Sequence, residues 1–141
     1  MIWFYISWEI MKTPVVFAVD TNPVHRSLIN YYLGLSKFIN VHTFQSGEEC
    51  LYRMKKNLIP DFIITDYNHD DGSGLDFLRR VKEISPSVNV IFFASFDDPA
   101  IAIKLHDAGA TDYVPKSNKP DLGISELIQN IKFLAREIAM S

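Results

Sequence analysis

The chain has 141 residues, of which 48% are hydrophobic, and a formal net charge of −3. This length suits one domain with a sizeable core, and the acidic balance gives no electrostatic attraction for nucleic acid or for an anionic membrane surface, so neither is an expected partner. The single cysteine, Cys50, excludes a disulfide framework and is typical of a cytoplasmic protein.

The first ten residues alternate large apolar side chains with other residues. The apolar positions are Ile2, Phe4, Ile6, Trp8 and Ile10. A period of two predicts a strand or an extended arm, and the segment is too short to span a bilayer. It is either an added strand, exchanged between two subunits of a homodimer, or an artefact of the start site. We therefore divide the chain into an N-terminal extension, residues 1–13, and a main domain, residues 14–141.

From residue 14 onward, short apolar runs alternate with amphipathic segments. Strands are predicted at residues 15–19, 38–44, 61–65, 88–93 and 111–115. Helices are predicted to begin at Pro23, after Ser46, at Ser73 or Gly74, at 97–99 and near Leu122. Five strand–helix units in strict alternation predict an α/β fold with a parallel sheet, right-handed crossovers and helices on both faces.

Side chains suited to chemistry lie where the predicted strands end. Asp20 follows the first strand, Asp66 the third, Ala94 and Ser95 the fourth, and Lys116 the fifth. The carboxyl ends of parallel strands meet at one edge of a sheet, where open α/β folds bind their ligands. Two carboxylates beside a lysine suit a divalent cation and a phosphoryl group. Each residue alone could equally be a solvated loop charge, but their common position indicates a site.

Four motifs occur along the chain in a fixed order. They are Val19-Asp20 followed by Pro23, the run from Pro60 to Asp66, the run from Gly74 to Leu78, and the run from Gly109 to Lys116. Together they resemble the receiver domain of two-component response regulators, over almost the whole chain from residue 15. The resemblance implies a flavodoxin-like (βα)5 doubly wound parallel sheet with strand order 2-1-3-4-5.

The resemblance also implies a role for each site residue. Asp66 would be phosphorylated by a histidine kinase or a phosphotransfer protein, and Lys116 would take up charge on the phosphoryl oxygens. Mg2+ would be held by Asp20, Asp66 and the backbone carbonyl of Asn68, with no further cofactor. Tyr113 would belong to the switch that responds to phosphorylation.

Several positions depart from the family pattern. Thr21 stands where the family has a second acid, so Mg2+ should bind more weakly. Asp70 or Asp71 could return some of the lost negative charge. Ala94 occupies the position of the switch hydroxyl, and Ser95 is one residue late. In a regular strand Ser95 would face the opposite side, unless a bend at the strand end redirects it.

Three functions remain open from the sequence. We expect a stand-alone receiver, without an output domain, that signals through contact with a downstream protein. The alternative is a receiver-like interaction module that phosphorylation no longer controls. An enzyme such as a phosphatase with Asp66 as nucleophile is disfavoured, because Asn68 stands where its second acid would be; we therefore expect no enzymatic activity.

The last helix is predicted to bury one apolar face. Its members are Ile124, Leu127, Ile128, Ile131, Leu134, Ala135 and Ile138. Phe133 falls on the opposite side and is therefore a candidate contact for a partner or for a second copy of the chain.

Overall fold

The computed structural model describes most of the main domain. The described residues are 13–36, 40–69, 72–116 and 120–140. The predicted N-terminal strand or arm lies outside them, and so do Asp70 and Asp71.

A five-stranded sheet forms the centre of the molecule. Its strands are β1 (Val15–Val19), β2 (Asn40–Phe44), β3 (Phe62–Thr65), β4 (Asn89–Ala94) and β5 (Asp112–Pro115). The described helices are α1 (Pro23–Leu35), α2 (Gly47–Lys56), α3 (Gly74–Ile84), α4 (Pro99–Asp107) and α5 (Pro120–Met140). The strands lie in the order 2-1-3-4-5 and each neighbouring pair is parallel. The predicted flavodoxin-like (βα)5 fold is confirmed.

Both faces of the sheet are covered, which explains the continuous apolar runs of β1, β3 and β4. Alternate residues of β1 point to opposite faces: Val16 and Ala18 belong to a core cluster with α1 and α5, whereas Phe17 and Val19 pack with α2, α3 and α4. The sheet therefore separates two hydrophobic cores, and polar groups are left at the ends of its strands.

Side-chain caps fix where four of the helices begin. The side chains of Asn22, Ser46, Ser73 and Asp98 accept hydrogen bonds from backbone N–H groups in the first turns of α1 to α4, respectively. Beyond the end of α4, Gly109 has a φ of 107°, a conformation that glycine adopts without strain. These boundaries set the short loops that carry the strand-end residues.

A short hairpin follows β3, outside the five strands predicted from the sequence. Asn68–His69 pairs antiparallel with Gly72–Ser73. Strands of two residues are too short to show any hydrophobic period, so the sequence pattern could not reveal them.

The apolar stripe of α5 is buried along most of the helix but not at its end. Ile124, Leu127 and Ile131 are buried as predicted, whereas Ile138 is 49% exposed, so its predicted place in the core is wrong. A helix of 21 residues is about 31 Å long, and the four residues of β5 cover only about 13 Å. The last turns therefore extend beyond the strand that the helix covers. Phe133 is exposed, as expected.

Among the described residues, none of the helices combines the length and the apolar character that crossing a bilayer requires.

Two glycines in helices should respond in opposite directions to replacement by alanine. A Cβ on Gly74 would lie 2.7 Å from the carbonyl oxygen of Tyr67 and 2.8 Å from the ring of Phe92. Gly74→Ala should therefore lower the free energy of unfolding by about 1–3 kcal/mol. A Cβ on Gly34 would meet nothing within 4 Å, so Gly34→Ala should raise it by about 0.5–1 kcal/mol. Urea unfolding checks both, and equal stability of the two variants would contradict the close contact at Gly74.

Candidate functional site

Three charged side chains meet at the carboxyl ends of β1, β3 and β5. The Nζ atom of Lys116 lies 2.8 Å from Oδ2 of Asp20 and 2.9 Å from Oδ2 of Asp66. The side chains of all three are almost completely buried. Strand β4 separates β5 from β3, and the long lysine side chain spans that distance. The structure thus brings together the three charges that the sequence placed at separate strand ends.

Each carboxylate is also fixed by the backbone that follows its strand. The N–H of Tyr67 donates to Oδ1 of Asp66 over 2.6 Å, and the N–H of Asn22 donates to Oδ1 of Asp20 over 2.9 Å. Hydrogen bonds from N–H groups to ionised carboxylates are stronger than those between neutral groups. In both side chains Oδ1 is therefore held by the loop, while Oδ2 faces Lys116.

The surroundings of Asp66 keep its carboxyl group ionised. Burial alone would raise the pKa of Asp66, but the hydrogen bond and the charge of Lys116 oppose this effect. Hydrogen bonds from the Ser95 hydroxyl and the Tyr67 N–H also lower the pKa. As a result, the pKa of Asp66 lies below its ordinary value. An ionised carboxylate with an oxygen turned toward a cation can act as a nucleophile toward phosphorus.

The chain bends immediately after β4 and redirects Ser95. Ala94 is the last residue of the strand and is fully buried. Ser95 and Phe96 form the bend, and the hydroxyl of Ser95 donates to Oδ2 of Asp66 over 3.0 Å. A regular strand would have turned this side chain to the opposite face. The hydroxyl that Ala94 cannot offer is thus supplied by its neighbour.

Tyr113 connects β5 to the same bend. Its hydroxyl donates to the carbonyl oxygen of Phe96. Burial raises the pKa of Tyr113, and the negative charges of Asp97 and Asp98 raise it further against the opposing effect of a backbone hydrogen bond at Asp98, so the hydroxyl keeps its proton at neutral pH. The Phe96 ring in turn meets the ring of Tyr67 edge-on at 6.0 Å between centroids. Tyr113 is therefore linked to Asp66 indirectly: it bonds to Phe96, and the adjacent Ser95 bonds to Asp66.

The donor set fits Mg2+, but with fewer anionic ligands than the family pattern provides. Mg2+ is usually held by one or two carboxylates and keeps several waters; Asp20 and Asp66 meet this requirement. Thr21 could offer only a neutral oxygen, and Asn68, which is exposed, lies on the short hairpin two residues beyond Asp66. In the part of the chain that the structure describes, no three acidic, histidine or cysteine side chains form a metal cluster.

One residue of the site was missed by the sequence analysis. Nδ1 of His25 lies 3.1 Å from Nζ of Lys116 and 3.6 Å from Oδ2 of Asp20. Its position in the first turn of α1, directly after the carboxyl end of β1, could have indicated that it lies beside Asp20. Next to it, the guanidinium of Arg26 donates to the carbonyl oxygen of Asp20 over 2.6 Å, which ties this turn to the strand end.

Comparison with known proteins agrees with this geometry. A family model described as the response regulator receiver domain matches residues 16–130. The two-component response regulator ORR3 of Oryza sativa subsp. indica is 33% identical over 109 residues, which cover 76% of this chain and 82% of the rice protein. The chain belongs to the response regulator receiver domain family, and its relatives are two-component response regulators.

Solved structures show the same fold. A putative response regulator from Chloroflexus aurantiacus J-10-fl superposes with a TM-score of 0.76 at 25% identity, covering 89% of this chain and 99% of that one. The receiver domain of the Francisella response regulator 1452 gives the same TM-score at 22% identity and covers 89% and 98% of the two chains. The sheet order and the helices on both faces are therefore those of receiver domains.

Replacing Lys116 should reverse the direction of the Asp66 pKa shift. In the wild type, Asp66 stabilises the fold above the unfolded pKa of about 3.9, and this contribution is lost as the pH falls through the lowered pKa. In Lys116→Met the hydrogen bonds from Ser95 and Tyr67 are left to oppose burial, the largest influence, so the pKa of Asp66 should rise above its ordinary value. Ionisation should then destabilise the fold as the pH rises through that pKa.

A titration of the Asp66 carboxyl carbon by NMR measures this shift. Lys104→Met is the matched control, because Lys104 is exposed on α4 and should leave the pKa of Asp66 unchanged. An equally low pKa of Asp66 in Lys116→Met would contradict the role of the ammonium.

Proposed function

We propose that this receiver accepts a phosphoryl group on Asp66 from a histidine kinase or a phosphotransfer protein and signals through protein–protein contact. The proposal rests above all on the surroundings of Oδ2 of Asp66, which lies 2.9 Å from the Lys116 ammonium and 3.0 Å from the Ser95 hydroxyl. These two donors could also stabilise the negative charge on the oxygens of a phosphoryl group bound to Asp66. The proposed place of action is the cytoplasm, as the single cysteine suggests.

The transfer needs little covalent chemistry from the protein. The Asp66 carboxylate attacks phosphorus, and the bond between phosphorus and the donor imidazole nitrogen breaks. The imidazole keeps the electron pair of that bond, and Asp66 becomes an acyl phosphate. Lys116 offsets the charge on the phosphoryl oxygens as they move away from the donor. Mg2+ held by Asp20, Asp66 and the Asn68 carbonyl would supply further positive charge there.

The alternative is a receiver-like interaction module that works without phosphorylation. Thr21 favours it, because loss of the second acid reduces the negative charge available to a cation. The contacts among Asp20, Asp66 and Lys116 favour phosphorylation, because they retain the nucleophile and its cation. We propose the phosphorylated receiver as the function and expect no enzymatic turnover of its own.

Labelling with a small phosphodonor tests the acceptor directly. After incubation with acetyl phosphate and Mg2+, the wild type should gain the mass of one phosphoryl group in an intact-mass spectrum. Asp66→Asn should gain none, because an amide is a poor nucleophile. Asp107→Asn, at an exposed position of α4, is the matched control and should label like the wild type. Equal labelling of Asp66→Asn would reject Asp66 as the acceptor.

The response of the switch should be smaller than a hydroxyl at position 94 would give. Ser95 already donates to Asp66 in this state, and a ligand shifts an equilibrium only by contacts that differ between the two states. Ala94→Thr adds a donor, and a hydrogen bond to a charged group contributes about 1.5–3 kcal/mol. Beryllofluoride, a phosphoryl mimic, should therefore change the NMR shifts of Tyr113 more in Ala94→Thr than in the wild type. Ser95→Ala should respond like the wild type, because the Ser95 hydroxyl already contacts Asp66 before the mimic binds. A response of Ala94→Thr no larger than that of the wild type would contradict this model.

Phe133 is proposed as a contact for a partner or for a second copy of the chain. Its side chain is 64% exposed on α5, so Phe133→Ala should weaken self-association in sedimentation velocity without lowering the melting temperature. Tyr52→Ala is a matched control, since Tyr52 is an equally exposed aromatic residue on α2. Unchanged sedimentation of Phe133→Ala would remove this residue from the contact.

A further inference from the structure

Among the described residues, the ammonium of Lys116 has three acceptors around it. Besides Oδ2 of Asp20 and Oδ2 of Asp66, Nδ1 of His25 lies 3.1 Å from Nζ. A lysine ammonium has three N–H groups and cannot accept a hydrogen bond. The three acceptors therefore match the three N–H donors of the ammonium. Two N–H groups point to the carboxylates, and the third points to the imidazole of His25.

This contact fixes the protonation of the imidazole. Because Lys116 can only donate, Nδ1 of His25 must carry the lone pair, and the proton of the neutral ring is then on Nε2. The 3.6 Å between His25 Nδ1 and Asp20 Oδ2 is too long for a hydrogen bond. In this arrangement His25 is a neutral acceptor for the lysine.

The backbone holds His25 at this place. The side-chain oxygen of Asn22 accepts hydrogen bonds from the N–H groups of Val24 and His25, which fixes the first turn of α1. Arg26 ties the same turn to the carbonyl oxygen of Asp20. The side chain of His25 is 38% exposed, so it lies at the rim of the site rather than in the core.

We propose that His25 is a positioning residue for phosphoryl transfer: it holds the third N–H of Lys116, so that the ammonium keeps one donor directed at Asp66. The proposal rests on the function proposed above. A neutral acceptor suits this task, because the two carboxylates already outweigh the charge of Lys116. A third carboxylate at this place would repel the incoming phosphoryl group.

The tautomer of His25 can be tested without any phosphorylation. Long-range proton–nitrogen NMR spectra at roughly pH 8.5, where free imidazole is neutral, distinguish the two ring nitrogens. In the wild type His25 should carry its proton on Nε2, and Lys116→Met should shift the Nδ1 resonance. A proton on Nδ1, or an Nδ1 resonance that ignores Lys116→Met, would overturn the proposal.

Labelling rates test the consequence for the reaction. His25→Leu removes the acceptor and should slow labelling by acetyl phosphate about fivefold, which corresponds to a barrier increase on the order of 1 kcal/mol. His25→Gln offers a carbonyl oxygen to Lys116 and should restore the rate to within about twofold. His106→Leu is the matched control, because it removes an exposed histidine of α4. All variants should melt at the temperature of the wild type.

Two outcomes would overturn the positioning role. An unchanged rate in His25→Leu would show that Lys116 needs no third acceptor, and a faster rate would show that His25 draws it away from Asp66. A wild type that takes no label at all would instead reject the proposed function. The NMR experiment would then still decide whether His25 holds Lys116.

Discussion

The fold and the site both depend on the contact of one ammonium with two buried carboxylates. Buried charges are costly unless they are paired, and removing one partner leaves the other uncompensated. Lys116 pairs at once with Asp20 on β1 and Asp66 on β3, from the far side of β4. The same interaction therefore ties three strands together at their carboxyl ends and sets the charge around the candidate acceptor. A substitution of any of these three residues should therefore affect both the stability of the sheet and the charge around Asp66.

The sequence predicted what depends on the order of elements along the chain. Apolar runs of four to six residues mark strands that are covered on both faces, and the residue after each run lies at the edge where a ligand binds. Asp20, Asp66 and Lys116 could be found in this way. The direction of the Ser95 side chain could not be predicted. Side chains alternate between the two faces only within a strand, and Ser95 lies in the bend that follows β4. His25 was missed because helical periodicity does not tell how the first turn faces the strand ends.

The departures from the family pattern share one physical character. Thr21 removes a negative charge and Ala94 removes a hydroxyl, while Ser95 brings a hydroxyl to Asp66 and His25 brings a ring nitrogen to Lys116. Among the described residues, the site thus has fewer anions, while Lys116 has three polar neighbours. We therefore expect weaker binding of Mg2+ without a loss of contacts to the lysine.

The two segments beside Asp66 pack in different ways. After β3, the N–H of Gly74 donates to the carbonyl oxygen of Tyr67 over 2.7 Å, and no space remains between them for even a methyl group. After β4, the chain leaves the sheet at Ser95. A group added to Asp66 would therefore find no free volume between Tyr67 and Gly74. On the side of β4 it would compete with the Ser95 hydroxyl for Oδ2 of Asp66, so the contact that Ser95 makes is the one that a chemical change at this carboxylate would alter first.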